Sequence, residues 1–392
     1  MGVDAIVKTK GYWSQEIQNR IQQILQRAYD EKEMAGASVL FIRNGKEELY
    51  CQSGFADIKA KAPIQRDTIF RLYSMTKPVT AAACMLLMER GVIDLLDPVS
   101  RYLPDFENLR VWQGDAWAPA CRPVTVRDLL TMQSGLPYPG ETPPGREAEK
   151  LFEESPSLPT VAFANALARC GLEFQPGTQW RYGSSADVMG AVIEVASGRS
   201  FRDFLKEELF APLEMKDTDF YVPEEKRSRL AHTYEAGTLK EYTGNHLQIQ
   251  SRMKTVPVFQ SGGAGLASTI DDYSHFIAML LNSGSWNGKS ILSPGTVSYM
   301  TSAQLPQGRR HTMGWESLYG YSYGSFMRIL ESPGEAAGTG FTGEYGWDGW
   351  LGPYFSNFPQ QNASLLLMMQ RKDGGTWRVT RQIRNVILAG LD

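Results

Sequence analysis

Strand-like segments near both ends of the chain enclose a long helical middle, and this order constrains the fold more than any other feature. Two runs of mostly apolar residues, 37–43 and 47–51, flank an Asn44-Gly45 pair, which is typical of a tight β-hairpin. Short aromatic or Gly-rich strands are predicted after position 311, around 313–315, 343–352 and 363–370. We therefore predict one sheet that is completed by both ends of the chain.

Apolar side chains recur at helical spacing through most of the remaining chain. The predicted helices cover residues 14–31, 75–89, 125–132, 158–169, 184–197, 201–210, 269 to about 282, and about 376 to 391. The first and last of these are amphipathic. Strands at both ends with helices between them predict an α/β fold with an inserted, mostly helical region.

The charge balance and the missing motifs exclude several function classes. The 392 residues carry 40 Lys plus Arg and 43 Asp plus Glu, and without a long basic run we expect no nucleic-acid partner. No signal-peptide pattern and no run of about 18 apolar residues is present, so we expect no membrane partner and a cytoplasmic location. The four cysteines are widely spaced and the four histidines are isolated, so we expect no metal and no cofactor.

Ser74 and Lys77 form a candidate pair of nucleophile and base. Ser74 opens the predicted helix 75–89, and Lys77 follows three residues later on the same face. A lysine at this spacing places its amine beside the serine hydroxyl. Pro78 is tolerated only near a helix start, so the positive N-terminal end of the helix points at Ser74.

Ser-x-x-Lys alone is a weak signal, because a chain of this length should contain about one match by chance. A second match, Ser251 with Lys254, runs into Pro257, which disfavours a helix there. A lone match is more often a helix cap than a nucleophile. The Gly-x-Ser-x-Gly of 320–324 and the spaced glycines of 338–343 lack the elements that their chemistry needs, and we interpret both as coincidental.

Two further motifs follow Ser74 in order. Tyr182 stands after a Pro-Gly turn and before a predicted helix, and Trp347-Asp348-Gly349 lies on a Gly-rich strand. A lone tyrosine is more often a core aromatic. With all three motifs in this order, however, the chain resembles the serine β-lactamase and penicillin-binding-protein superfamily. It is most similar to class C β-lactamases and family VIII carboxylesterases. Two spacers, 129–136 and 261–266, extend the resemblance over nearly the whole chain.

The resemblance implies a central antiparallel sheet flanked by helices. It implies one catalytic unit, 1–392, with an α/β subdomain of 1–66 plus 265–392 and a helical subdomain of 67–264. It also implies that Ser74 is acylated, that Lys77 accepts or relays its proton, and that Tyr182 completes proton transfer to the leaving group.

The resemblance also assigns the groups that hold the substrate. The backbone N–H groups of Ser74 and Trp350 would form the oxyanion hole, which needs preorganised donors. The residues expected to contact the substrate come from the second and third motifs: Ser184, Trp347, Asp348 and Gly349.

The third motif departs from the lactamase pattern. Class C β-lactamases carry Lys-Thr-Gly where this chain has Trp347-Asp348-Gly349, so an anionic β-lactam loses a cation and meets an acid. Ser184 stands where the lactamases have Asn. Asp348 could attract an amine, although an exposed, solvated aspartate is the commoner state.

The leading hypothesis is a serine hydrolase that acts through an acyl-enzyme on Ser74, with an esterase on small esters favoured. The substrate would be a small-molecule ester or amide. A β-lactamase, a D,D-peptidase or D-aminopeptidase, and an acyltransferase would use the same site. A non-catalytic binding module is the alternative of another class, and the combination of Ser74, Lys77 and Tyr182 argues against it.

Overall fold

A computed structural model describes residues 10–391 of the protein. The strands are β1 (Gly36–Arg43), β2 (Lys46–Asp57), β3 (Ala62–Pro63), β4 (Phe70–Arg71), β5 (Arg110–Trp112), β6 (Trp117–Pro119), β7 (Thr233–Tyr234), β8 (Glu241–Tyr242), β9 (Ala267–Ser268), β10 (Ser285–Trp286), β11 (Lys289–Ser290), β12 (Tyr321–Tyr323), β13 (Arg328–Leu330), β14 (Tyr345–Asp348), β15 (Tyr354–Phe358) and β16 (Ala363–Met369). The α-helices are α1 (Lys10–Asp30), α2 (Thr76–Glu89), α3 (Val126–Leu130), α4 (Pro143–Glu154), α5 (Thr160–Cys170), α6 (Ser185–Ser197), α7 (Phe201–Leu205), α8 (Ile270–Leu281), α9 (Pro294–Met300) and α10 (Arg378–Leu388).

The main sheet has eight strands in the order β12-β13-β14-β15-β16-β1-β2-β3, and every neighbouring pair is antiparallel. β16 pairs with β1 along its whole length, so the two ends of the chain meet in the middle of the sheet. The predicted α/β fold with a central antiparallel sheet is confirmed. The division into two subdomains stays a prediction.

The β1–β2 hairpin forms where the sequence predicts it. Asn44 and Gly45 both have positive φ, 53° and 68°, which is the conformation that a two-residue turn between twisted strands requires. Arg43 pairs with Lys46 directly across this turn. The turn fixes the register, so alternate side chains of β1 reach opposite faces of the sheet.

Both faces of the sheet are covered by helices. Val39 and Phe41 of β1 pack in one apolar cluster with side chains of α1 and α10, whereas Leu40 packs in the cluster that includes α2 and α8. On α1 the buried positions fall at helical spacing, as its amphipathic pattern predicts: Ile17, Ile21, Ile24, Leu25 and Ala28. The central strands are therefore apolar on both sides.

The C-terminal helix α10 is joined to the sheet by a buried ion pair. Arg384 is 5% exposed and Glu344 is fully buried, and the guanidinium donates to the carboxylate at 2.5 Å. Ser356 Oγ on β15 donates to the same carboxylate at 2.9 Å. This network fixes α10 beside β14 and β15.

Most predicted helices are present with shifted ends, but the segment 313–315 is not a strand. It lies at the end of a 3₁₀-helix, Gln307–Met313, because Gly314 in the left-handed region (φ 62°) breaks any extended run. The structure also has a helix, α4, that is not among the predicted helices. Its Thr142 cap accepts from the Gly145 N–H, and Pro143 and Pro144 occupy the first turn, where proline is tolerated.

Neither the Gly-x-Ser-x-Gly motif of 320–324 nor the second Ser-x-x-Lys match at Ser251 has the elements of a catalytic site. Ser322 of the 320–324 motif is fully buried within β12, and Ser251 lies in a turn with no helix after it. Cys51, Cys84 and Cys170 are buried free thiols, whereas Cys121 is exposed. In residues 10–391, no helix is both long enough and apolar enough to cross a membrane.

Candidate active site

Ser74 lies on a single 3₁₀ turn, Tyr73–Met75, directly before α2. The residue before it, Tyr73, has a positive φ of 45°, a backbone conformation that residues other than glycine rarely adopt. Gly349 packs against this turn so closely that a Cβ there would lie 2.2 Å from the Leu72 carbonyl oxygen. The strained turn and the missing side chain bring the end of β14 against the segment that carries Ser74.

Lys77 is fully buried beneath Ser74. Its Nζ atom lies 3.1 Å from Ser74 Oγ, donates to the Gly263 carbonyl at 2.8 Å and lies 3.2 Å from the Tyr138 hydroxyl. These three hydrogen-bonding partners hold the Lys77 amine in one position. The predicted pairing of hydroxyl and amine is thus present in the geometry.

Burial changes the acid–base behaviour of Lys77. Loss of hydration lowers the pKa of the amine from 10.5 to about 7, against the opposing effect of the nearby carboxylates of Asp187 and Asp348. A substantial fraction of the amine is therefore neutral near pH 7. A neutral amine 3.1 Å from a serine hydroxyl is placed to accept its proton.

Tyr182 also packs against the Lys77 amine. Lys77 Nζ is 4.5 Å from the centre of its ring, and the interaction of the Tyr182 hydroxyl with Ser74 lowers the pKa of the phenol against the larger effect of burial. Trp347 stacks on Tyr182 at 5.7 Å and its Nε1–H donates to the same hydroxyl at 3.4 Å. Burial raises the pKa of the Tyr182 phenol, so this group is a proton donor at neutral pH while Lys77 is the base.

Tyr138 is a site residue that the sequence reasoning missed. Its hydroxyl contacts Lys77, its ring packs edge-on against Tyr182 at 5.6 Å, and burial raises its pKa well above the ordinary value. It belongs to the loop after the 129–136 spacer, in which no site residue was predicted. No spacing rule links a loop tyrosine to a lysine 61 residues away.

Ser184 has a different place from the predicted substrate contact. It is fully buried and its hydroxyl donates to the Pro137 carbonyl at 2.6 Å. This bond holds the loop that carries Tyr138 against the start of α6. A Cβ on Gly183 would lie 2.1 Å from the Leu136 carbonyl oxygen, which shows how tightly the two segments meet.

Asp348 is neither exposed nor free. It is half-buried, and its carboxylate accepts a short hydrogen bond from Thr376 Oγ1, just before α10. Burial raises its pKa, and the nearby Arg328 acts in the opposite direction. Arg328 itself donates hydrogen bonds to the Phe355 carbonyl and to Ser356 Oγ. The hydrogen-bonding partner of Asp348 is Thr376, in the loop before α10.

The Trp350 side chain belongs to an aromatic rim. Its indole stacks on His246 at 4.1 Å and lies 5.0 Å from the Tyr73 ring, and its Nε1–H donates to Asp373 at 2.8 Å. In the described chain, the backbone N–H groups of Ser74 and Trp350 donate to no other protein group. Both are therefore available to a bound oxygen.

The aromatic residues of the site, together with Ser74 and Asp348, line one open cleft of about 460 Å³. Aromatic side chains dominate its walls, and Asp348 and Asp373 are its carboxylates. The lining side chains include Tyr73, Tyr138, Tyr182, His246, Trp315, Trp347 and Trp350, with Ser74 among them. Among the residues that the structure describes, no group of three or more His, Cys, Asp or Glu is arranged to hold a metal ion.

A protein-family model described as Beta-lactamase matches residues 19–389. The chain belongs to the beta-lactamase family. Within this family it is 29% identical to Esterase EstB of Burkholderia gladioli, over 94% of this chain and 95% of that protein. It is 28% identical to a lovastatin esterase of Penicillium rubens, over 74% of each chain.

Solved structures show the same beta-lactamase-family fold. The structure of "EstCE1, a hydrolase with promiscuous acyltransferase activity" superposes with a TM-score of 0.81 at 28% identity, over 95% of this chain and 99% of that one. An octameric penicillin-binding protein homologue from Pyrococcus abyssi shares the fold at 22% identity and a TM-score of 0.70 over 95% of this chain and 78% of that chain. The chain is a serine hydrolase of the beta-lactamase fold.

Proposed function

We propose that this chain is an esterase that cleaves small esters through an acyl-enzyme on Ser74. The observation that carries the proposal is the contact between Ser74 and a buried amine whose pKa is lowered to about 7. A serine hydroxyl becomes a good nucleophile only when a neighbouring base can take its proton. The esterases among the relatives support the ester as the substrate class.

The reaction begins when Lys77 Nζ takes the proton of Ser74 Oγ as this oxygen attacks the ester carbonyl. The negative charge that develops on the carbonyl oxygen is stabilised by the backbone N–H groups of Ser74 and Trp350. The Tyr182 phenol gives its proton to the departing alkoxide oxygen, and the proton on Lys77 restores the phenol. Water then attacks the acyl group, with the same groups acting in reverse.

The third motif favours a neutral substrate. A β-lactam carries a carboxylate, and in class C lactamases the Lys-Thr-Gly motif helps to bind it. Here the indole of Trp347 lies against Tyr182, and the carboxylate of Asp348 accepts a hydrogen bond from the Thr376 hydroxyl. An anion in this part of the cleft would meet an acid in place of a cation.

Acyl transfer to an alcohol is the second candidate. EstCE1, at 28% identity, is described as a hydrolase with promiscuous acyltransferase activity. The open, aromatic-lined mouth of the cleft, with Trp350 stacked on His246, offers apolar surface to an acceptor that competes with water. Adding an alcohol to the ester assay and measuring the new ester tests this activity.

Side-by-side rates on p-nitrophenyl butyrate and a chromogenic cephalosporin test the proposal. We expect the ester to be hydrolysed faster and the Ser74→Ala variant to lose this turnover. A faster rate on the cephalosporin would reverse the assignment in favour of a β-lactamase. The cytoplasmic location stays a prediction from the sequence.

A further inference from the structure

Asp187 is a buried carboxylate near Lys77 that no step of the proposed reaction uses. It lies in the first turn of α6 and is 2% exposed. Its Oδ1 atom accepts hydrogen bonds from Ser261 Oγ at 2.5 Å and from the Gly263 N–H at 3.0 Å. Burial raises the pKa of this carboxyl, whereas the charge of Lys77 and the hydrogen bonds from Ser261 and Gly263 lower it. A buried carboxylate is costly, which raises the question of what it does.

The donors to Asp187 belong to a turn that also binds Lys77. The Gly263 N–H donates a hydrogen bond to Asp187, and the Gly263 carbonyl oxygen accepts one from the Lys77 amine at 2.8 Å. A Cβ on Gly263 would lie 2.9 Å from Asp187 Oδ2, so this residue fits only as glycine while the carboxylate stays in place. Gly263 therefore links the carboxylate and the amine through its own backbone.

We propose that Asp187 is a positioning residue for Lys77, which orients the amine through Gly263 and whose negative charge sets the pH at which the amine accepts the serine proton. The inference rests on the proposed function, because it takes Lys77 as the base. It goes further in giving a role to a residue that touches neither the nucleophile nor the cleft.

The charges around Lys77 determine the direction of the effect. The ionisable groups that face the amine are the carboxylates of Asp187 and Asp348 and the phenols of Tyr138 and Tyr182. Burial raises the pKa of both phenols, so they are uncharged near neutral pH. Asp187 is the largest of the effects that raise the pKa of Lys77 against burial. Removing its charge should therefore lower the pKa of Lys77 further.

The Asp187→Asn variant tests this, because it removes the charge and keeps an oxygen that can accept from Ser261 and Gly263. The readout is the rate at which a fluorophosphonate labels Ser74, followed by intact-protein mass as a function of pH. We expect the acidic limb of this profile to move to lower pH by about 0.5 to 1 unit. Asp187→Ala, which also removes the acceptor, should slow labelling at every pH.

Asp272→Asn is the matched control. Asp272 is also a buried aspartate in the first turn of a helix, α8, and accepts from the Asp217 N–H at 2.6 Å and from Thr218 Oγ1 at 3.0 Å. It does not act on the charge of Lys77. Its variant should leave the pH profile in place, so a loss of structure alone does not imitate the effect.

Ser261→Ala provides a second route if Asp187→Asn does not fold. Losing the 2.5 Å hydrogen bond makes the Asp187 anion less stable, so the limb should move in the same direction by a smaller amount. An unchanged limb in the variants that fold, or an equal shift in Asp272→Asn, would overturn the inference. Fluorophosphonate labelling does not require ester turnover, so a wild-type protein that is labelled but inactive on esters would count against the proposed function alone.

Discussion

Lys77 Nζ lies 3.1 Å from Ser74 Oγ, and the amine is fully buried while the hydroxyl faces an open cleft. The burial that lowers the pKa of the amine therefore does not block access to the nucleophile. A buried base thus lies beside a hydroxyl that a substrate can reach.

The first prediction concerns pH. Lys77 must be neutral to take the serine proton, and its pKa in the folded protein is about 7. The kcat/KM for p-nitrophenyl butyrate should therefore rise with pH, with a midpoint near 7, and fall about tenfold for each pH unit well below it. Lys77→Arg should be inactive, because arginine keeps its proton. An acidic limb with its midpoint near 10 would contradict the lowered pKa.

The second prediction separates the two tyrosines. Tyr182→Phe removes the hydroxyl that interacts with Ser74 and accepts from Trp347 Nε1–H, and kcat/KM should fall about 10²- to 10⁴-fold. Tyr138→Phe removes one hydrogen bond to Lys77, and should cost about fivefold, which corresponds to about 1 kcal/mol. Each variant keeps its aromatic packing, so steady-state kinetics report on the hydroxyl. If Tyr138→Phe were the more damaging change, the proton donor would be Tyr138.

The third prediction concerns Gly349, where a Cβ would lie 2.2 Å from the Leu72 carbonyl oxygen. Gly349→Ala should push the end of β14 away from the turn that carries Ser74, and we expect kcat to fall at least about tenfold as the Trp350 N–H shifts. Gly334→Ala is the matched control, since a Cβ there meets no atom within 4 Å. Similar kinetics for the two variants would show that the close approach at Gly349 is not required.

The fourth prediction concerns charge selection by Asp348. Asp348→Asn should raise activity on the anionic mono-p-nitrophenyl succinate relative to p-nitrophenyl butyrate by about tenfold, because one negative charge leaves the cleft. Asp373→Asn serves as the control, because Asp373 is 69% exposed and its charge is screened by water. An unchanged ratio in Asp348→Asn would mean that another feature excludes anions.

Much of the fold followed from local signals. The Asn44-Gly45 turn, the apolar runs of β1 and β16 and the amphipathic α1 each carry their structure in adjacent residues. Helix α4 also had a local signal, Thr142 before Pro143 and Pro144, but the surrounding prolines and glycines favour a loop. Segment 313–315 was predicted as a strand from its aromatic and Gly-rich pattern, whereas Gly314 with positive φ sets its conformation.

In the site, too, one contact follows from local sequence spacing and the others depend on the folded chain. Lys77 is placed by helical spacing alone, so its partnership with Ser74 was predictable. Tyr138 and Asp187 reach Lys77 from a loop and from α6, through contacts that exist only after the chain has folded. The Thr376 partner of Asp348 lies on the segment before α10, and this contact depends on how that segment packs beside β14. No spacing in the sequence encodes these contacts.

The most direct test of an acyl-enzyme on Ser74 is the mass of the protein during turnover. After brief reaction with p-nitrophenyl butyrate and quenching in acid, we predict a population heavier by one butyryl group, with peptide mapping placing the group on Ser74 and none forming in Ser74→Ala. A butyryl group on a different residue, or undiminished hydrolysis by Ser74→Ala, would contradict the account.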